Sequence, residues 1–471
     1  MGTLERYITE PLKEVGWRMT QWTEKYIPDA WIIAVMLTLV TLLLAWIWGS
    51  PPGKPWWGLD GLYHVIIAWG NGFWILLTFA MQMTLIMLLG YILAVSPPVA
   101  KFMDWLSRKP NPEKPWQSIL LMGLWSNITG WINWGLSISS SAMFMTYIAR
   151  HQPKVDFRLL VATAYLGLGT TWHSGLSGSA PLLVATPNNF LIQTGVLKEV
   201  IPITRTILSP FNLILVSVII ILTALVMAAM TPRPERAYKM TPEILERLKR
   251  WEPPQRPQIM TTAEKLSWWP GWNIIIFLMG LTWLVDNFAK KGFAGLTLDV
   301  VNFIFLMLGI IFHYRPVSFL KAAAEGARFV WGIIIQFPFY AGIFGMINYT
   351  SLAQTLTNFF IAISTPQTYL LIVYWYSGIL NYLVPSGGSK WVIESPYILK
   401  AGFTHGISDA SIVMAYAWGD MATDMIQPFW AIPLLGVSGL EFREIMGYLM
   451  VLFIIYSVVL TIAMLIMPIN L

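Results

Sequence analysis

Seven stretches of the chain contain no Asp, Glu, Lys or Arg: 30–53, 61–100, 115–149, 159–197, 206–232, 329–389 and 445–471. A bilayer core of about 30 Å takes roughly 20 apolar residues per helical crossing, so most of these stretches hold one or two crossings. Lipid offers no partner to backbone N–H and C=O groups, which leaves the helix as the element that such runs can form. Only 11% of the residues are charged and 56% are hydrophobic, whereas a soluble domain carries about 25% charge. The chain reads as an all-α polytopic membrane protein.

Many of the 25 Trp residues stand at the edges of these stretches, among them Trp46, Trp48, Trp56, Trp57, Trp268 and Trp269. Indole rings favour the headgroup level there. Glu5, Glu10, Glu14 and Glu24 precede the first apolar run, which is unlike a secretory signal. Segment 1–29 is expected to form a cytoplasmic interfacial helix instead. The absence of Cys excludes disulfides, thiol chemistry and Cys-ligated metals. Basic loops facing anionic lipid account for the net charge of +6, so no nucleic-acid partner is expected.

Of the 30 basic residues, 23 fall in the gaps 1–29, 101–114, 150–158, 231–267, 314–328 and 441–444. By the positive-inside rule these gaps are cytoplasmic, with the N-terminus inside and the C-terminus outside a cell (inner) membrane. Segment 116–149 then begins and ends inside, and 368–400 begins and ends outside. Each has short arms and a polar, small-residue tip: "NWGLSISSSA" (Asn133–Ala142) and "NYLVPSGGSK" (Asn381–Lys390). Both read as re-entrant hairpins, because irregular backbone survives at membrane depth only where protein or a watery cavity satisfies it.

An interrupted helix follows each hairpin: 159–193, with "YLGLGTTWHSGLSGSAPLL", and 410–440, with "YAWGDMATDMIQPFWAIPLL". The order hairpin, broken helix, full helix thus occurs twice. The expected organisation is a first inverted repeat over 30–230, a basic cytoplasmic linker over 231–267, an extra span over 268–298, and a second repeat over 299–471. The extra span supplies the odd crossing that inverts the second copy. Inverted repeats whose discontinuous helices meet at the midplane belong to secondary transporters.

Breaks of this kind leave backbone donors and acceptors without helical partners. The N-terminus of the half-helix after a break can hold a carboxylate, and the carbonyls before it can hold a cation. Candidate substrate-binding residues at the first tip are Asn133, Ser137, Ser139, Ser140 and Ser141, with Thr170, Thr171 and His173 at the first broken helix. At the second tip they are Pro385, Ser386, Gly387, Gly388, Ser389 and Lys390. Coupling-ion candidates are Asn381, Asp420, Thr423 and Asp424, since a carboxylate at membrane depth costs about 2.5–3.5 kcal/mol and calls for a cavity or partner. The bland readings are a small-residue packing face at the tips, a Lys390–Glu394 pair at i, i+4, and an ion pair between Lys390 and Asp424. Gln82 and Gln336 are expected to brace the hairpins. Helices 30–49 and 299–313 read as outer helices able to carry a dimer interface.

The residues resemble the bacterial short-chain fatty acid transporter family of the AtoE type over almost the whole chain. The likeness rests on "GNGFWILLTFAMQM" (Gly70–Met83), "INWGLSISSSAMF" (Ile132–Phe144), "GLSGSAPLLVATPNN" (Gly175–Asn189), "VPSGGSKWVI" (Val384–Ile393) and "QPFWAIPLLGVSGL" (Gln427–Leu440). His173 and Lys390 depart from the family pattern, which has Gly and His there. The resemblance implies symport of short monocarboxylates such as butyrate or acetoacetate, driven by protons or sodium. It also implies kinship with ion-coupled anion transporters that use two re-entrant hairpins, move as elevators and form homodimers. No cofactor is expected beyond a bound sodium ion. A dicarboxylate or other organic anion is the alternative substrate class, disfavoured by the lack of paired Arg or Lys at the breaks. An intramembrane hydrolase built on Ser174, Ser177 or Ser179 beside His173 is the remote alternative, so the chain is not expected to be an enzyme.

Overall fold

A computed structural model describes residues 25–26, 30–51, 54–56, 58–240, 242–248, 251–383 and 386–471. The interfacial helix expected over 1–29 and the tip residue Pro385 therefore fall outside the described residues, the former but for Lys25 and Tyr26. The described residues are helical, with no strand among them. Six helical stretches are long and apolar enough to cross a membrane: 31–48, 77–94, 210–229, 262–295, 331–348 and 442–466. Proline opens several helices, at Pro97, Pro115, Pro210 and Pro316, where its missing N–H removes nothing from the ladder.

Each inverted repeat contains a hairpin and a broken helix. The first hairpin pairs helices Pro115–Ile132 and Trp134–His151, and the second pairs Tyr369–Leu383 and Gly387–Thr404. The first broken helix runs Phe157–Ala164, Leu166–Thr170, a 3-10 turn at Trp172–Ser174, and Ser179–Ala185. Its counterpart runs Asp409–Ala422, 3-10 turns at Thr423–Ile426 and Phe429–Ala431, and Ile432–Ser438. The repeats also match in what supports them: helix 77–94 packs on the second arm of the first hairpin, as helix 331–348 packs on that of the second.

Small residues set how closely these pieces approach. Gly135 lies against the backbone of Ile86 and Met87, and Gly90 against Leu136 and Asn133, so the first hairpin rests directly on helix 77–94. The two broken helices cross where Gly169 meets Met425. Gly419 lies against the carbonyl of Tyr374, which brings helix 409–422 onto the first arm of the second hairpin. A Cβ at 419 would sit 2.8 Å from the Tyr374 carbonyl carbon, and backbone yields little. Gly419→Ala is therefore expected to destabilise the protein by about 1–3 kcal/mol, the range for overpacking a close-packed core, read as a lower midpoint of thermal unfolding in detergent.

Two expectations about the periphery are corrected. Helix Leu298–His313 packs against both 77–94 and 271–291, so it is not an outer helix: the extra span covers it. Helices 31–48 and 271–291 are the ones that leave most of their apolar surface uncovered. Gln82 does not brace a hairpin; its side-chain amide donates to Asp299 Oδ1 at 2.8 Å, and its backbone carbonyl accepts from Asn302 Nδ2 at 3.0 Å.

Candidate functional site

The first tip is a break of one residue. Helix 115–132 ends, Asn133 is extended (φ −161°, ψ 123°), and its Oδ1 accepts from Leu136 N at 2.8 Å to cap the second arm. The hydroxyls clustered after it serve the hairpin. Ser137 donates to Ser126 O at 2.9 Å, and Ser140 accepts from the Trp125 indole at 3.0 Å, which holds the two arms together. Ser139 is buried, while Ser141 Oγ and Asn133 Nδ2 are buried with no hydrogen-bond partner among the described residues. Thr170 and Thr171 likewise turn away from open space. Their hydroxyls donate to Asn127 Oδ1 and Asn127 O on the first arm, and Asn127 bonds on to Thr223.

The second tip is organised around the N-terminus of helix 387–404. Ser386 is extended (φ −154°, ψ 92°), its hydroxyl donates to Ser389 at 2.8 Å, and its carbonyl accepts from Lys390 N at 2.9 Å. The N–H groups of Gly387, Gly388 and Ser389 belong to the first turn, where no intrahelical acceptor exists. Tyr416 donates to Gly387 O at 2.6 Å and fixes the tip to the second broken helix. Gly387 lies directly on the Asp420 carboxylate, the His173 ring and the Trp172 ring, and Gly388 faces Phe79 and Ser179.

Four ionisable side chains meet beneath this tip, all buried. His173, stacked on Trp172 with ring centres 4.3 Å apart, places Nδ1 2.7 Å from Asp420 Oδ2. Its Nε2 accepts from Ala180 N at 3.1 Å. A nitrogen that accepts carries no proton, so the imidazole is neutral with its hydrogen on Nδ1, aimed at Asp420. Lys390 Nζ lies 3.1 Å from Asp420 Oδ1 and 2.8 Å from Glu394 Oε1, and it also donates to Ser377 O (2.9 Å) and Ser377 Oγ (2.7 Å). It sits 4.7 Å from the centre of the Tyr416 ring. Lys390 thus pairs with Glu394 and Asp420, not with Asp424.

Asp424 belongs to a second cluster across Trp172. Asn381 donates to its Oδ1 at 2.7 Å and the Trp172 indole to its Oδ2 at 3.1 Å. Thr423 donates to Gly378 O at 2.8 Å and accepts from Asn381 at 3.2 Å. Tyr165 donates to the carbonyls of Asp424 and Gln427. Asn381, Thr423 and Asp424 therefore stand together, and Asp420 stands apart with His173 and Lys390.

A narrow cleft of about 40 Å³ opens above the second tip. Ser386, Gly387, Gly388 and Ser179 form its polar edge, and Trp134, Trp172, Met83, Ile333, Phe337 and Trp430 supply much of its apolar wall. One side offers helix N–H groups and hydroxyls and the other offers aromatic and aliphatic surface, the arrangement that suits a small amphiphilic anion. A hydrolase dyad has no counterpart here. Both His173 nitrogens are engaged elsewhere, Ser174 donates to Thr171 O, Ser177 accepts from Trp134 N, and Ser179 donates to Met83 Sδ.

Sequence reasoning overlooked Ser377, Trp172 and Tyr416, named Ser179 only as a candidate hydrolase serine, and treated Glu394 only as a partner of Lys390. Glu394 was signalled by its i, i+4 spacing from Lys390. Ser377 and Tyr416 were not signalled, since nothing local distinguishes them from helix-face residues.

The family model described as short chain fatty acid transporter matches residues 11–467. A provisionally named short-chain fatty acid transporter of Escherichia coli (strain K12) is 34% identical over 430 residues, covering 91% of this chain and 94% of that protein. A protein with the same provisional name from Haemophilus influenzae is 35% identical, covering 92% and 94%. The crystal structure of the Alcanivorax borkumensis YdaH transporter, described as having an unusual topology, shares the fold with a TM-score of 0.53 at 18% identity. That match covers 92% of this chain and 98% of the other. With its paired hairpins, crossed broken helices and a family match over nearly its full length, the chain belongs to the short chain fatty acid transporter family.

Proposed function

We propose that the protein carries short-chain fatty acid anions across the cell (inner) membrane by cation-coupled symport. The observation that carries this reading is the cleft above Gly387. The substrate carboxylate docks on the N–H groups of Gly387 and Gly388, and the hydroxyls of Ser386 and Ser179 turn from Ser389 and Met83 Sδ to donate to it. The short acyl chain lies against Phe337, Ile333, Trp134 and Trp172. A monocarboxylate is favoured over a dicarboxylate because the cation nearest the tip, Lys390, is already held by two carboxylates. The hairpins and broken helices interlock through the contacts described above, and we read them as one body that moves as an elevator against the supporting helices. The basic gaps favour a cytoplasmic N-terminus, and the uncovered apolar surface of helix 31–48 suits a homodimer.

The test is uptake of labelled butyrate and acetoacetate into proteoliposomes under an inward proton gradient in one arm and an inward sodium gradient in the other. Protein-free vesicles measure the leak of neutral acid. Uptake above the leak in either arm is expected, whereas none in both, with uptake of a dicarboxylate, would replace the substrate class. Phe337→Ala is expected to raise the apparent KM for butyrate about fourfold, the equivalent of one buried methylene, and to leave acetate nearly unchanged. Equal effects on both acids would remove Phe337 from the acyl wall.

A further inference from the structure

We propose that the coupled cation is a proton and that Glu394 carries it on Oε2, with Lys390 as a tethered counter-cation. This rests on the transport reading above and decides what that reading leaves open.

Two observations lead there. The first is what fills the space where a metal cation would sit. Lys390 Nζ is surrounded by Ser377 O, Ser377 Oγ, Glu394 Oε1 and Asp420 Oδ1 at 2.7–3.1 Å. These oxygens come from both arms of the second hairpin and from the second broken helix. They make an oxygen cage of the kind that holds a hard cation, and an ammonium covalently bound to the chain already occupies it.

The second is the charge that remains. Lys390 contributes one positive charge against two negative ones, on Asp420 and Glu394, and His173 is neutral because Nε2 accepts from Ala180 N. Asp420 Oδ2 is bonded to His173, and its Oδ1, although it too has no hydrogen-bond partner among the described residues, lies 3.1 Å from the Lys390 ammonium. Asp424 has no vacancy, since Asn381 and Trp172 each donate to one of its oxygens. Glu394 Oε2 is likewise buried with no hydrogen-bond partner among the described residues, and the Lys390 ammonium is paired with Oε1 of that carboxylate instead. An uncompensated carboxylate oxygen out of contact with water is costly, and a proton is the one cation small enough to join it without displacing Lys390.

The groups facing Glu394 are consistent with this. Helix 409–422 presents Asp420 and Tyr416, the first arm of the second hairpin presents Ser377, Tyr376 and Tyr369, and Lys390 and Tyr397 lie on its own helix. His173 stands behind Asp420. None of these is a second cation. In the step itself, a proton from water adds to Oε2 on the face where substrate enters, converting carboxylate to carboxylic acid. The cluster then sums to zero while the hairpins move, and the proton returns to water on the other face.

Glu394→Gln imitates the protonated state and keeps an oxygen for Lys390. The readouts are gradient-driven accumulation and gradient-free counterflow of labelled acetoacetate in proteoliposomes, with lumenal pH and radioactive sodium followed together. One-to-one proton symport supports about tenfold accumulation per unit of pH gradient, and wild type should approach that without sodium entry. The Gln variant is expected to keep counterflow within about twofold of wild type and to lose accumulation entirely. Unchanged accumulation by the variant would overturn the assignment to Glu394. Sodium entering wild-type vesicles with substrate would overturn the proton, and it stays decisive if the variant does not fold. Absence of wild-type counterflow for every short-chain acid would sink the transport reading itself, and this one with it.

Discussion

Replacing Lys390 by Met is expected to cost the protein about 3–5 kcal/mol of stability, the range for removing one partner of a buried ion pair. Among the described residues the ammonium is the only positive charge in contact with Asp420 and Glu394, and all three side chains are buried. Without it two carboxylates face each other across helices 387–404 and 409–422, and Ser377 loses the group bonded to its carbonyl and hydroxyl. Met retains most of the stem, so the loss reports charge more than packing. Thermal unfolding in detergent, followed by tryptophan fluorescence, should show a midpoint lower by several degrees. Adding Glu394→Gln to the same chain removes one of the stranded charges and should restore part of the loss, a coupling that a double-mutant cycle isolates. A Lys390→Met protein as stable as wild type would show that the cluster is not held together by this cation.

Gly387→Ala is expected to abolish transport while leaving the protein folded. A Cβ at 387 would overlap Asp420 Oδ2 and lie 2.8 Å from both His173 Cε1 and a ring carbon of Trp172. None of these can withdraw easily: Asp420 is pinned by His173 and Lys390, and His173 by Ala180 and the Trp172 stack. The tip must retreat instead, and with it the N–H groups that face the cleft. A shift near an ångström disables a positioned site about a hundredfold, so counterflow of butyrate should fall by that order. Gly388→Ala offers the contrast. Its Cβ would meet the Phe79 ring at 3.1 Å and Ser179 Oγ at 3.4 Å, wider approaches than those at 387 and neither to a group held by an ion pair. It is expected to retain much of the activity, and equal rates for the two variants would remove the tip from the binding site.

Several features of the site are legible along the chain because they break a local rule. A Pro-Ser-Gly-Gly-Ser run in a stretch without charge marks a helix interruption, and Asp420 and Lys390 stand out because ionised groups are costly at membrane depth. What the chain does not reveal is the direction in which a polar group points. Ser137, Ser140, Thr170 and Thr171 look like ligands from their clustering, yet their partners are Ser126 O, the Trp125 indole and Asn127. A serine near a break serves a ligand or the neighbouring backbone equally well, and only the packing of a third segment selects between them.

The same division holds for the fold. Charge-free runs, basic gaps and duplicated breaks determine an all-helical membrane protein with two inverted repeats, because the cost of burying charge and backbone acts on every residue independently of its partners. Tertiary structure alone decided that Lys390 turns to Asp420 and Glu394 and away from Asp424, that His173 is held neutral by Ala180, and that Gly169 lets the two broken helices cross at Met425. Those pairings join residues up to about 260 positions apart. They follow from close approach at glycines and from which donor reaches which oxygen, and neither is written in the spacing of any one segment.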